Sequence, residues 1–209
     1  EDHTHDPWSD WAQNSRADFA LASLRKCLPL PSGAVLWSPR AHPLPRASVS
    51  LERERASLNK LAGQVLKQQY LDGHRVEKQA FRDLASSGEA KIASGEPSGM
   101  PAHSVELLRS FPVLSWRRQR QANYEQAARE NFSGPVKLLV PEAGAQAFSL
   151  ALVVEGRAAR DRLRDELIRH RVFPAVLWPL DRTVAPGVTD ADRVLSASLL
   201  SIHCDFRYD

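Results

Sequence analysis

The chain of 209 residues has two cysteines, one methionine, no apolar run approaching a membrane span and little excess charge. Cys27 and Cys204 stand far apart, so no disulfide framework and no cysteine-based ligand spacing exists; two unpaired thiols suit a reducing compartment. A spanning helix needs about 20 consecutive apolar residues, so no membrane segment is expected. The acidic, His-containing opening resembles neither a signal nor a transit peptide, and a cytoplasmic location follows as the expectation. A net charge of +3, with bases spread beside acids, gives little support to a nucleic-acid partner; the densest basic cluster, "WRRQRQANYEQAARE", reads as a solvated helix face. No Gly-x-Ser-x-Gly elbow is present, which removes that class of serine hydrolase. No internal repeat is evident.

What remains is ordinary soluble composition, 43% hydrophobic and 25% charged, enough for one large domain or two small ones. Asp6 and Pro7 read as the cap and first residue of a short helix ending near Gln13. "ADFALAS" and "AVLWS" read as short strands forming a hairpin around "LPLPSG", with Lys26 at a strand end before the turn. From 47 onward Leu58, Leu61, Ala62, Val65, Leu66 and Tyr70 recur at helical spacing, predicting one long helix over 50–71 closed by Gly73. A short helix over 76–87 and a Gly/Ser/Pro-rich loop, "SSGEAKIASGEPSGMPAHS", follow. Beyond "VELLRSF" a polar helix begins near Ser115. Then come strands at 136–140 and 148–155, a helix with Leu163, Leu167 and Ile168 on one face, and an extended "FPAVLWP". A helix capped by Asp190 and a last strand, "LLSIHCDF", close an α+β unit over 110–209. Phe173 and Trp178 read as core or dimer-interface aromatics, and His203 and Cys204 as strand residues.

Two chemistries compete for the opening. Asp2, His3, His5 and Asp6 are all metal-ligand types, and alternating histidines on an extended segment point the same way. No further ligand at a recognisable spacing follows, so zinc-dependent hydrolysis is a distant reading and no metal is expected. The other chemistry needs a lysine amine that attaches an aldehyde cofactor and a carboxylate that keeps the cofactor's ring nitrogen protonated. "SLRK" supplies the lysine, with the Ser23 hydroxyl three residues earlier as a phosphate contact and Arg25 adding positive charge.

"EDHTHD" followed by "SLRKCLPLPSGAVLWSP" resembles the middle of a fold-type I pyridoxal-phosphate enzyme of the DegT/DnrJ aminotransferase family. "ERERASLNKLAGQVLKQQYLDG", "SWRRQRQANYEQAARE", "RDRLRDELIRHRVFPAVLWPL" and "LLSIHCDFRYD" are similar, in order, to the interdomain helix and small domain of such proteins. The resemblance implies an α/β large-domain remnant over 1–46, an interdomain helical region over 47–109 and a small α+β domain over 110–209. It implies pyridoxal 5'-phosphate as cofactor. Asp2 would pair with the pyridine nitrogen, His5 lie near the ring, Ser23 contact the phosphate and Lys26 carry the cofactor as an internal aldimine. Amino transfer from an amino-acid donor to a carbonyl substrate is the implied reaction. The stretch around Lys26 departs from sugar aminotransferases, which puts nucleotide-sugar substrates in doubt. Arg207 is the candidate for a substrate carboxylate, its guanidinium fork suiting that geometry, with an ion pair to Asp205 or Asp209 as the equal alternative. The resemblance further implies a homodimer and an upstream half of the fold, on the same or a separate chain, that binds phosphate and stacks on the ring. A non-catalytic or split subunit that completes a partner's site is the rival reading.

Overall fold

The computed structural model describes residues 1–130, 132, 134–142, 144–181 and 186–207. The chain divides into two compact units, Glu1–Pro112 and Val113–Asp209, each mixing helices with a small sheet. The helical stretch 47–109 groups with residues 1–46 in the first of them.

In the first unit, α1 (Asp10–Gln13) starts three residues later than Asp6 and Pro7 suggest for its first turn. Ser9 takes the cap, its Oγ accepting from Ala12 N–H at 3.1 Å, while Asp6 and Ser9 are spent in the preceding turn. Strands β1 (Ala20–Ala22) and β2 (Val35–Trp37) pair antiparallel in the register Leu21↔Leu36, forming the expected hairpin. Between them Leu24–Lys26 is a 3-10 turn, so Lys26 ends a helical turn and not a strand. Gly33, at φ +143, allows the return: a Cβ there would lie 2.8 Å from Met100 Cε.

Helix α2 (Leu51–Leu71), capped by Ser50, packs along α3 (Lys78–Ser94). The expected loop at 86–94 is helical instead. Gly88, read as part of a Gly/Ser/Pro-rich loop, is a contact glycine: a Cβ would lie 2.5 Å from Lys60 Cγ and 2.6 Å from the Ala56 carbonyl oxygen. Helix α4 (Ala102–Ser110) closes the unit. Ser32, Ser57 and Ser104 meet in the interior through hydroxyl contacts of 2.7–3.3 Å, and His103 Nε2 lies 2.8 Å from Ser57 Oγ. Each buried hydroxyl thus has a partner, as burial requires.

The second unit runs α5 (Val113–Ala128), β3 (Val136–Leu139), β4 (Ser149–Val154), α6 (Arg157–Arg169), α7 (Asp190–Ser198) and β5 (Leu199–His203). The sheet order is β3-β4-β5, antiparallel throughout. Alternation along β4 sends Leu150, Leu152 and Val154 inward, where Leu150 and Leu152 join Tyr124, Leu200, Leu163 and Leu167. The cap of α7 is Thr189 and not Asp190: Thr189 and Asp192 exchange hydrogen bonds in a capping box. "FPAVLWP" makes only an isolated bridge, Ala175 with Ser201, because Pro174 and Pro179 lack the N–H groups a longer ladder needs. Phe173 and Trp178 are 69% and 55% exposed, which removes the core reading of these aromatics. Cys204 is buried just beyond β5, and burial pushes its thiol pKa up.

Candidate functional site

The opening residues run parallel to β1. His3 N–H donates to the Leu21 carbonyl at 2.8 Å and Leu21 N–H to the Glu1 carbonyl at 3.0 Å, which bridges Asp2 to Leu21. This brings an acid 24 positions upstream of Lys26 onto the edge of the same small sheet from which the lysine turn departs.

Thr4 joins the two stretches. Its N–H donates to Asp2 Oδ1 at 2.9 Å, its Oγ1 accepts from Ser23 N–H at 2.9 Å, and its carbonyl accepts from the Cys27 thiol at 3.2 Å. The His5 carbonyl lies 3.5 Å from the same sulfur. Hydrogen bonding from the Thr4 side chain is the foremost cause that holds the Asp2 carboxyl below its ordinary range, against a smaller opposing effect of burial. Asp2 is exposed and ionised at neutral pH, His5 and Ser23 are half-buried, and Lys26 is exposed. Among the described residues the Lys26 amine makes no hydrogen bond or ion pair. Ser23 occupies the cap of the 3-10 turn without a side-chain cap bond, leaving its hydroxyl uncommitted to the turn.

Arg25 does not lend its charge to this site. Both terminal nitrogens fork onto Glu89 of α3 at 2.6 and 3.0 Å, and Lys60 of α2 joins the same carboxylate. Arg25 first, then Lys60, holds the Glu89 carboxyl down at about 2. The clamp fastens the lysine turn to the helical pair.

His3 and His5 do not present a matched pair of ligands. The His3 side chain is fully buried, edge-on to Trp11 at 4.5 Å and tilted against Trp37 at 5.5 Å, with Nε2 3.1 Å from Glu1 Oε2. Ser15 Oγ donates to that same Glu1 oxygen at 2.6 Å. Among the described residues no cluster of three His, Cys, Asp or Glu side chains is disposed to hold a metal ion.

Arg207 belongs to the second unit. Its Nε and one terminal nitrogen fork onto Asp205 at 2.9 and 2.8 Å, and its N–H adds a bond of 3.0 Å. Of the two readings of Arg207, the ion pair is the one present; Asp209, the other carboxylate considered, lies outside the described residues. Burial raises the Asp205 pKa, but Arg207 outweighs it and the net displacement is downward. Nearby Trp116 stacks on Phe206 at 4.3 Å, and the Arg120 guanidinium lies 5.8 and 6.0 Å from the Phe206 and Phe148 rings.

Sequence reasoning passed over Thr4, Cys27 and Glu89. Thr4 stood between two histidines that drew the metal reading, though the backbone N–H two residues after an aspartate is the spacing of a local Asx-type contact. Glu89 has no local signal, since its partners are 29 and 64 positions away.

No protein-family model matches the chain, and no curated protein matches it. Among the described residues no helix is long and apolar enough to cross a membrane.

Proposed function

We propose that the first unit carries the acid-and-lysine half of a pyridoxal-phosphate site, and that the protein is aminotransferase-like. The observation that carries this reading is the joining of Asp2 to the Ser23–Lys26 turn through Thr4. An ionised acid, an amine without a partner among the described residues, and a hydroxyl uncommitted to its turn are what the ring nitrogen, aldehyde and phosphate of the cofactor require. The phosphate needs donors beyond Ser23, because Arg25 is held by Glu89.

Pyridoxal phosphate, when bound, supplies an electron sink that allows proton loss from an amino acid's α-carbon. Asp2 keeps a ring nitrogen cationic by offering it an anion. Lys26 Nζ would anchor the aldehyde covalently and, when free, would serve as the base that takes up and returns a proton. His5 would border the ring. The Arg207 fork, read from the sequence as a candidate for a substrate carboxylate, is taken up by Asp205 within the second unit. The reaction transfers an amino group from an amino acid to a small carbonyl compound. The remaining phosphate and ring contacts come from further polypeptide, on the same or a separate chain, and the assembled protein is a homodimer.

A specific feature also supports a second reading, a non-catalytic or split subunit completing a partner's site. Phe19, Leu21 and Leu36 alternate onto one face of the hairpin and remain 42–46% exposed, an apolar face suited to cover by another polypeptide. Addition of saturating pyridoxal phosphate separates the two. The enzyme reading expects an absorbance band of lysine-bound cofactor that moves when an amino-acid donor is added and is missing from Lys26→Ala. A band retained in Lys26→Ala, or one insensitive to every amino donor, counts against it.

A further inference from the structure

We propose that Thr4 is the positioning residue of this site, fixing the Asp2 carboxylate against the lysine turn through its hydroxyl; the inference rests on the reading of Asp2 and Lys26 given above. Asp2 lies on a segment held to β1 by backbone bonds, whereas Lys26 sits on a 3-10 turn attached elsewhere by Arg25 to Glu89 and by Leu24 N–H to the Gly33 carbonyl. Three polar groups of one residue span that gap, namely the Thr4 N–H to Asp2, the Thr4 hydroxyl from Ser23 and the Thr4 carbonyl from Cys27. Only the middle contact uses the Thr4 side chain, so it is the one a substitution at Thr4 can remove while the backbone stays in place. The hydroxyl accepts from Ser23 N–H while the backbone N–H of the same residue donates to Asp2, so loss of the hydroxyl frees the end of the link that holds the turn. A threonine methyl has the shape of a valine methyl, and valine therefore deletes the hydroxyl with little change of volume. Serine keeps the hydroxyl and deletes the methyl.

The test uses the 209-residue chain with Thr4→Val and Thr4→Ser, read by NMR without cofactor. Charge on His5 and His3 also acts on Asp2, and both variants leave those residues unchanged. In Thr4→Val the Asp2 carboxyl should titrate higher, toward an ordinary aspartate. The Ser23 amide should exchange with solvent about tenfold faster, as loss of its acceptor requires, while the Leu21 amide, bonded to Glu1, keeps its rate. Thr4→Ser should restore both. Uniform acceleration of all amides in Thr4→Val, an unmoved Asp2 titration, or failure of Thr4→Ser to restore the two signals overturns the assignment. Failure of the cofactor reading is seen separately, as absence of the lysine-bound absorbance band in the unsubstituted chain; the NMR result decides Thr4 whichever way that falls.

Discussion

At the residue scale, Asp2 and Lys26 stand out as candidates because an acid and a lysine in that order are recognisable residue types. The link from Asp2 to the lysine turn was not legible, since it depends on a threonine and a thiol with many ordinary roles. Asp2→Asn should leave covalent attachment at Lys26 largely intact but slow proton removal from the donor about a hundredfold or more, a size typical of losing one electrostatic partner in a site. Single-turnover absorbance kinetics check this, and unchanged rates would remove Asp2 from the site. Arg207→Lys should lower the thermal stability of the second unit slightly, because the fork onto Asp205 is replaced by a point charge. Unchanged thermal unfolding would mean that the fork does not hold Asp205 in solution.

Elements were more legible than sites. The 3.6-residue spacing of Leu58, Leu61, Val65 and Leu66 located α2 but not its buried face, which is Ala56, Ser57 and Gly63 while Leu58 and Val65 stay exposed; in β4 the buried positions do alternate. Boundaries failed where a residue's role is set by a distant neighbour. Gly88 looks like a helix breaker in sequence, yet it permits the backbone of α2 to approach α3. Gly88→Ala should therefore destabilise the first unit by about 1–3 kcal/mol through overpacking, although alanine favours an isolated helix by about 1 kcal/mol. Urea unfolding checks the sign, and a stabilised variant would show that the helices part freely.

The same helix pair carries the Glu89 clamp. Its carboxyl titrates at about 2 in the folded chain against an ordinary 4.5, so the folded state binds the proton less readily than the unfolded one. The resulting stability is present in full above the ordinary value and is lost as pH falls from about 4.5 through about 2. The half-exposed carboxylate is screened by solvent, which limits the size of the effect and not its direction. Glu89→Gln should flatten the pH dependence of unfolding across that window, measured by denaturant titration at a series of acid pH values. An identical slope in both proteins would mean that Arg25 and Lys60 do not hold Glu89 in solution.

Across the whole molecule, the succession of helices and strands was readable from local pattern, while the grouping of residues 47–109 with the opening stretch was not. That grouping rests on contacts far apart in sequence, such as Ser32 with Ser57 and Ser104, whose three hydroxyls carry no periodic signal. The proposed function likewise depends on a long-range link, from Asp2 through Thr4 to the turn that carries Lys26. The most direct measurement is borohydride reduction of the chain in the presence of pyridoxal phosphate, followed by peptide mapping of the fixed label. The account predicts label at Lys26 in clear preference to Lys60, Lys67, Lys78, Lys91 and Lys137, and its loss in Lys26→Ala. Label spread evenly over the lysines, or concentrated on any other one, would contradict it.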